Sequence, residues 1–419
     1  MHPLIHCLKS YSQSARRSSF VYNIGVELRK CKNMIPRHAA PRILRLLAGF
    51  PVVTVTGPRQ SGKTTLVREL LPDKPYVSLE TPAQREFART QPADFLRQYP
   101  TGAVIDEAQN APELMSEIQG VVDGSGQMGL FVLTGSHNLS LLSGVTQSLA
   151  GRTALVELLP LSVAELRSVG LLEADYAAHL VKGFFPAIYA RDLEPFEWLH
   201  AYLVTYAERD ARQLAAIQDL SAFQRFLKLT AARTGQLLNM QALASDAGVS
   251  DKTVKHWLSI LETCYLVHFV HPHFANFGKR LTKSPKLYMT DVGMAAALMG
   301  IQNASQMQAH PLRGALFETM VVNEFRKNRC NTGVRDPLYF WRDNIGTEVD
   351  LILERGNDIA AVEIKSGISV ASDAFANLKK WQKYAIERGS FSAIHPGLVY
   401  GGATRFARDG VDVMPWAGL

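Results

Sequence analysis

The stretch PVVTVTGPRQSGKTTL, Pro51–Leu66, decides how the chain is to be read. PVVTVT is an apolar, β-branched run that predicts a buried strand, and the residues from Lys63 onward have helical character. Between them, GPRQSGKT fits G-x-x-x-x-G-K-[ST] in the strand-before, helix-after setting that gives the pattern its meaning. Glycines in such a loop let successive backbone N–H groups turn inward around phosphates, and the helix that follows adds its positive end. The expected nucleotide-contacting loop is Gly57, Pro58, Arg59, Gln60, Ser61, Gly62, Lys63, Thr64 and Thr65. Lys63 offers a point charge to the β- and γ-phosphates, and the Thr64 hydroxyl a ligand to Mg²⁺. ATP and Mg²⁺ are the cofactors this reading predicts.

Two more strands supply the partners such a loop needs. TGAVIDEAQ, Thr101–Gln109, ends an apolar run in Asp106, placed to hold Mg²⁺, and Glu107, a candidate base for the attacking water. GLFVLTGSHN, Gly129–Asn138, is expected to lie beside that strand and bring Thr134, Ser136 or Asn138 toward the γ-phosphate, with Ser136 adopted as the contact. Arg152 follows, either as an arginine that steadies transition-state charge within one subunit or across a homo-oligomer, or as an ordinary ion-pair residue.

Around these motifs, short strands and helical stretches alternate from Arg42 to about Leu159, which predicts an α/β fold with a parallel sheet. The domains expected are an N-terminal extension at 1–33 and a P-loop core at 34–160. A helical lid at 161–225, a winged-helix-like segment at 226–290 and a C-terminal α/β domain at 291–419 follow. The net charge of +7 is no nucleic-acid signature by itself. Residues 1–33 carry six basic residues against Glu27, a net +5, which leaves +2 for the rest. That segment has the composition of an organellar transit peptide; the plainer reading is an extension ahead of a start at Met34. No apolar run has the length of a membrane helix. Cys7, Cys31, Cys264 and Cys330 lack CxxC spacing, which points to a reducing compartment. A cytoplasmic location is expected.

Taken together, GPRQSGKTTL, VIDEAQNAPEL, LTGS and AGRTALVELLPLSVAEL resemble the AAA-type P-loop ATPases that prokaryotes encode as "ATP-binding proteins". The resemblance continues through YAERDARQL, GQLLNMQALASDAGVS, KRLTKSPKLYMTDVGMAAALMG and RGALFETMVVNEF into that family's C-terminal domain of unknown function. It implies an ATPase core, a winged-helix segment, and a C-terminal domain similar to the PD-(D/E)XK restriction-endonuclease-like fold. It implies no settled cellular role.

The segment LNMQALASDAGVSDKTVKHWLSILETCYLV, Leu238–Val267, has the build of a helix-turn-helix on its own terms. One helix ends at Gly248, Ser250 caps the next, and Val254, Leu258 and Leu261 recur at helical spacing. Lys252, Thr253, Lys255 and His256 then face outward at the start of the second helix, where DNA is met. Lys279, Arg280, Lys283 and Lys286 follow in the expected wing. Either the module grips DNA, or it packs and relays between the ATPase and the C-terminal domain.

TEVDLILERGNDIAAVEIKSG, Thr347–Gly367, reads as a hairpin turning at Gly356-Asn357. That turn sets Asp350 opposite Glu363 and Glu348 opposite Lys365, so that the two acids share a face and a metal ion. Glu318, on the preceding helix, adds a third carboxylate, and Lys365 stands ready to activate water. The pattern resembles the PD-(D/E)XK nucleases, with Val349 where proline is frequent. Opposed carboxylates also repel, and Lys365 alone can neutralise them. The functions expected are thus an Mg²⁺-dependent ATPase driving or switching the C-terminal unit, an ATP-coupled DNA nuclease, or a slow nucleotide-dependent switch that binds a protein partner.

Overall fold

Five parallel strands form the sheet that PVVTVT predicts: β1 (Val52–Thr56), β2 (Tyr76–Ser78), β3 (Ala103–Asp106), β4 (Phe131–Gly135) and β5 (Thr153–Glu157), in the order β2-β3-β4-β1-β5. The structure, a computed structural model, describes residues 35–136, 148–207, 217, 219–273, 284–334, 336–356, 358–387 and 393–419. Asn138, Lys279, Arg280, Lys283, Asn357, the extension 1–33 and most of YAERDARQL lie outside the described residues.

All five residues of β1 are buried because helices cover both faces of the sheet. Val53 and Val55 pack with Leu66 and Val67 of the Lys63–Leu70 helix, while Val52 meets Phe131, Ile105 and Ile118 on the other face. Burying a side chain such as Leu66 contributes about 1.5–3 kcal/mol. The strand order puts the carboxyl ends of β1, β3 and β4 side by side, the edge where open α/β sheets bind ligands.

Gly57 makes the exit from β1 possible. Its φ is +146°, and a Cβ there would stand 2.2 Å from the Leu158 carbonyl oxygen. The Leu158 N–H in turn donates to the Thr56 carbonyl at 2.8 Å, so loop and edge strand are held backbone to backbone.

The rest of the chain does not divide where the sequence suggested. Residues 220–289 run helix (Leu220–Ala232), β6 (Gln236–Leu237), helices Met240–Ala247 and Asp251–Thr263, then β7 (Val267–Pro272) and β8 (Lys286–Met289). The C-terminal strands are β9 (Leu338–Arg342), β10 (Glu348–Arg355), β11 (Asp358–Lys365), β12 (Ala393–Tyr400), β13 (Phe406–Arg408) and β14 (Val411–Pro415). They continue the same sheet, in the order β13-β14-β12-β11-β10-β9-β7-β8-β6, through parallel pairing of His271 with Tyr339 and Pro272 with Phe340. The boundary expected at 290/291 therefore falls inside one nine-stranded sheet. One apolar core also joins the lid, middle and C-terminal segments, among others through Phe184, Trp257, Tyr288, Phe317 and Trp416.

The Arg313–Thr332 helix runs through this core, and twelve of its twenty residues are buried. Its weak amphipathic pattern follows from being covered nearly all round. Three polar residues of its second half reach the ATPase side. Arg326 pairs with Glu157 of β5 at 2.5 Å, and Lys327 donates to the Leu161 carbonyl at 2.8 Å. Glu324 accepts from Lys327 and from the Val163 N–H, each at 2.7 Å.

Replacing Gly57 by alanine drives a methyl group into the Leu158 carbonyl and strains the backbone. The variant is expected to lose at least about 2 kcal/mol in urea unfolding; an unchanged midpoint would contradict the contact.

Candidate functional site

A pocket of about 700 Å³ opens at the carboxyl ends of β1 and β3. Arg59, Gln60, Gly62, Lys63, Thr64 and Thr65 line one side, and Asp106 and Glu107 its floor. Apolar Ile35, Leu161, Pro186, Ala187 and Ala190 also line the pocket, together with Arg37, Glu69, Glu80 and Arg191. Gly62 caps the Lys63–Leu70 helix in the left-handed conformation at φ 91°, turning the first helical N–H groups toward the cavity.

Lys63 is buried, and its Nζ donates to the Gly57 and Pro58 carbonyls at 2.9 and 2.8 Å. Burial pushes its pKa down to about 8, against the pull of Glu107 and Asp106. Thr64 Oγ1 donates to Asp106 Oδ1 at 2.9 Å, so the two groups expected to hold Mg²⁺ already touch. A hydroxyl and a carboxylate, both oxygen donors beside a phosphate-sized loop, fit that ion. Thr134 Oγ1 also donates to Asp106 Oδ1, and the Tyr76 hydroxyl donates to Oδ2 at 2.9 Å. Glu107 stands at φ 54°, a left-handed conformation that costs a non-glycine residue about 1–3 kcal/mol and gathers at functional sites. Its Oε2 accepts from Gln109 Nε2 and, at 3.1 Å, from Ser136 Oγ.

Sequence reading passed over two contributors. Arg37, inside MIPRHAAP, donates Nη1 to the Ser61 carbonyl of the loop and Nη2 to the Leu159 carbonyl, each at 2.6 Å. Its Nε meets Glu165 at 3.2 Å, and Glu165 completes a capping box with Ser162. Tyr76 is the other. Both act through space from distant parts of the chain, and no local pattern marks them.

Arg152 takes the ion-pair alternative among those the sequence left open. It precedes β5 at the end paired with Val52, a strand length or roughly 15 Å from the loop. There it forms a two-pronged ion pair with Asp123, at 2.5 and 2.8 Å. It cannot reach the pocket of its own chain.

The second cluster lies in the C-terminal sheet. The β10–β11 register runs from Leu351 opposite Val362 to Arg355 opposite Asp358, the pairing that the Gly356-Asn357 turn predicts. Between Val349 and Ile352, β10 bulges against β9. There the Asp350 carboxylate takes the Ile364 N–H at 2.8 Å, where a strand carbonyl would otherwise serve. Lys365 Nζ donates to Glu363 Oε1 at 2.7 Å, while Glu363 Oε2 is buried with no hydrogen-bond partner. Glu318 Oε1 accepts from Lys286 Nζ at 2.8 Å and from the Tyr288 hydroxyl at 2.7 Å.

Lys286 is a correction. It is 2% exposed in β8 and reaches Glu318, Glu348 at 2.5 Å and Asp350 at 3.9 Å, so it is no DNA-facing wing residue. Glu348 pairs with Lys286 and Arg342 (3.0 Å), in place of the expected Lys365. Among the described residues no three carboxylate, histidine or cysteine side chains converge as a metal cage. Asp350 and Glu363, expected as metal ligands, have Lys286 and Lys365 as their cations. Burial, then Glu318 and Glu363, hold Asp350 well above the usual carboxylate range, against both lysines. Burial alone would depress Lys286, but Glu318, Asp350 and Glu348 together raise it.

Residues 49–167 match the family described as an AAA domain. Residues 173–305 and 313–419 match two domains of unknown function, DUF8612 and DUF4143. Uncharacterized protein Rv2008c of Mycobacterium tuberculosis and uncharacterized protein Mb2031c of Mycobacterium bovis are each 34% identical over 339 residues, covering 80% of this chain and 75% of theirs. The Walker-type ATPase PABY2304 of Pyrococcus abyssi is 15% identical over 63% of this chain and 96% of its own, with a TM-score of 0.44. The chain belongs to the family of these mycobacterial proteins, AAA-type P-loop ATPases with a C-terminal domain of unknown function. No helix among the described residues is long and apolar enough to cross a membrane.

A Lys63 that meets phosphate must be charged, so ATP binding there is expected to take up protons as pH rises through 8. Affinity is expected to fall about tenfold between pH 7 and pH 9, and calorimetry in buffers of different ionisation enthalpy reads the proton uptake. A flat profile would remove Lys63 from the contact.

Proposed function

We propose that the chain binds ATP with Mg²⁺ in the pocket at the ends of β1 and β3, hydrolyses it, and uses the nucleotide state to reposition the middle and C-terminal segments. The observation that carries the reading is Leu161. It lines the pocket, and its carbonyl is held by Lys327 on the helix that also carries Glu318.

On phosphate binding, Lys63 exchanges its bonds to the Gly57 and Pro58 carbonyls for the nucleotide's oxygens. Thr64 and Asp106 would hold the metal, with Tyr76 and Thr134 fixing the carboxylate. When bound, Mg²⁺ supplies neutralisation of charge on the β- and γ-phosphates. Glu107 orients the attacking water and accepts its proton, and Ser136 and Gln109 keep its carboxylate aimed. The loop backbone from Gly57 to Thr65 cradles the phosphates, with Arg37 bracing it at Ser61.

The order helix–β6–helix–helix–β7–β8 supports the winged-helix reading of the middle segment. Ser250 caps the Asp251–Thr263 helix by accepting from the Thr253 N–H at 3.1 Å. Lys252, Lys255 and His256 are exposed on the first turns, which favours contact with DNA phosphates. Trp257 and Tyr265 are buried, as core residues. Glu318 on a helix, then β9–β11, the Ala376–Glu387 helix and β12 support a restriction-endonuclease-like C-terminal fold. A slow nucleotide switch without catalysis in that segment is the second reading, favoured by the lysines that already satisfy its acids. The ATP-coupled nuclease needs a metal where Lys286 sits, and is the least supported.

Phosphate release measured with and without duplex DNA tests the proposal. Mg²⁺-dependent turnover that Glu107→Gln lowers by about 10²–10⁴-fold, with ATP affinity kept, is expected. Turnover unchanged in Glu107→Gln would refute the assigned base. Stimulation by DNA that Lys252→Ala/Lys255→Ala removes is expected of the winged helix; a DNA-indifferent rate turns the reading toward a protein partner.

A further inference from the structure

We propose that the ammonium of Lys286 is the resident cation of the C-terminal acid cluster. It takes the place and charge of a divalent metal, so that this segment is built to work without one. The inference does not depend on the nucleotide reading.

Three carboxylates, Glu318, Glu348 and Asp350, gather about Lys286, and Glu363 on β11 is paired with Lys365. Lys286 enters from β8, outside the 313–419 segment that carries all four acids. Its side chain is 3% exposed, and its Nζ stands 2.5 Å from Glu348, 2.8 Å from Glu318 and 3.9 Å from Asp350. The Phe340 ring, with its centroid 5.5 Å from Nζ, lies close on another side. Tyr288, two residues along β8 and on the same face, donates to the Glu318 oxygen that Lys286 holds.

A buried ammonium in this setting cannot be displaced cheaply. Moving it out would leave like charges packed together with their hydration gone, the situation that makes breaking a buried ion pair so costly. A divalent ion bridging Glu318 and Asp350 would also meet a positive charge at contact distance. Lys365 plays the matching role for Glu363, so each acid of the cluster has a lysine beside it. One group is left over: Glu363 Oε2, buried and without a partner, marks where a metal would first be caught if Lys286 were gone.

The test is Mn²⁺ binding by the nucleotide-free, full-length protein, read from the loss of the free-ion signal in electron paramagnetic resonance. Wild type and Asp350→Asn are expected to bind equally at millimolar Mn²⁺, because no site in the cluster exists to lose. Lys286→Met is expected to gain one site at least about tenfold tighter than any in the wild type, and its Tm to rise with Mn²⁺ by several degrees where the wild type's does not. A Lys286→Met protein that folds only when Mn²⁺ is present supports the proposal equally. A wild-type Mn²⁺ site abolished by Asp350→Asn or Glu363→Gln overturns it, as does a folded Lys286→Met protein with no new site. Should Lys286→Met fail to fold under all conditions, the comparison of wild type with Asp350→Asn decides alone.

Discussion

The buried pair of Lys327 and Glu324 ties the two halves of this chain into one body. Both sit on the Arg313–Thr332 helix, one turn apart, and both spend their remaining capacity on the ATPase side: Lys327 on the Leu161 carbonyl, Glu324 on the Val163 N–H. The Lys327 ammonium also lies 3.8 Å from the Phe184 ring centroid. Burial raises the Glu324 pKa against Lys327, so the carboxylate is stable only while its partner stays. Removing one member of such a pair costs about 3–5 kcal/mol. Leu161 and Val163 join the nucleotide pocket to the lid helices, and Arg37 carries the contact on to the loop carbonyl of Ser61. From the phosphate loop to the acid cluster, the connection is a run of packed and hydrogen-bonded groups.

The two buried lysines at the ends of this run have opposite electrostatics. Lys63 meets neutral carbonyls, with its acids only at a distance, so desolvation wins and the pKa drops to about 8. Lys286 suffers the same desolvation, but three carboxylates surround it and the shift goes upward. On the proposed reading, the first is a lysine that meets an incoming anion. The second already has its anions, and that difference separates a site primed for a ligand from one that is internally complete.

What was legible in the sequence was local. The loop Gly57–Thr64, its flanking strand and helix, and the Asp106-Glu107 strand end all declare themselves within a few residues of one another. The β10–β11 register was legible too, since a two-residue turn leaves little freedom. What escaped depended on which strands lie next to which. Arg37 and Tyr76 reach the site from separate segments. Lys286 read as one more basic wing residue until β8 took its place in the C-terminal sheet. Arg152 sat close in sequence to the core but at the wrong end of its strand. The boundary expected at 290/291 followed the order of elements along the chain, whereas sheet pairing runs straight across it.

Hydrogen–deuterium exchange on the full-length protein, compared between the nucleotide-free state and one saturated with a nonhydrolysable ATP analogue and Mg²⁺, tests the union of pocket and C-terminal segment most directly. Slower exchange is predicted in the loop and in residues 159–165, extending along 313–332 to the turn that bears Glu318. Protection confined to the loop and the ends of β3 and β4, with 313–332 unchanged, would contradict it.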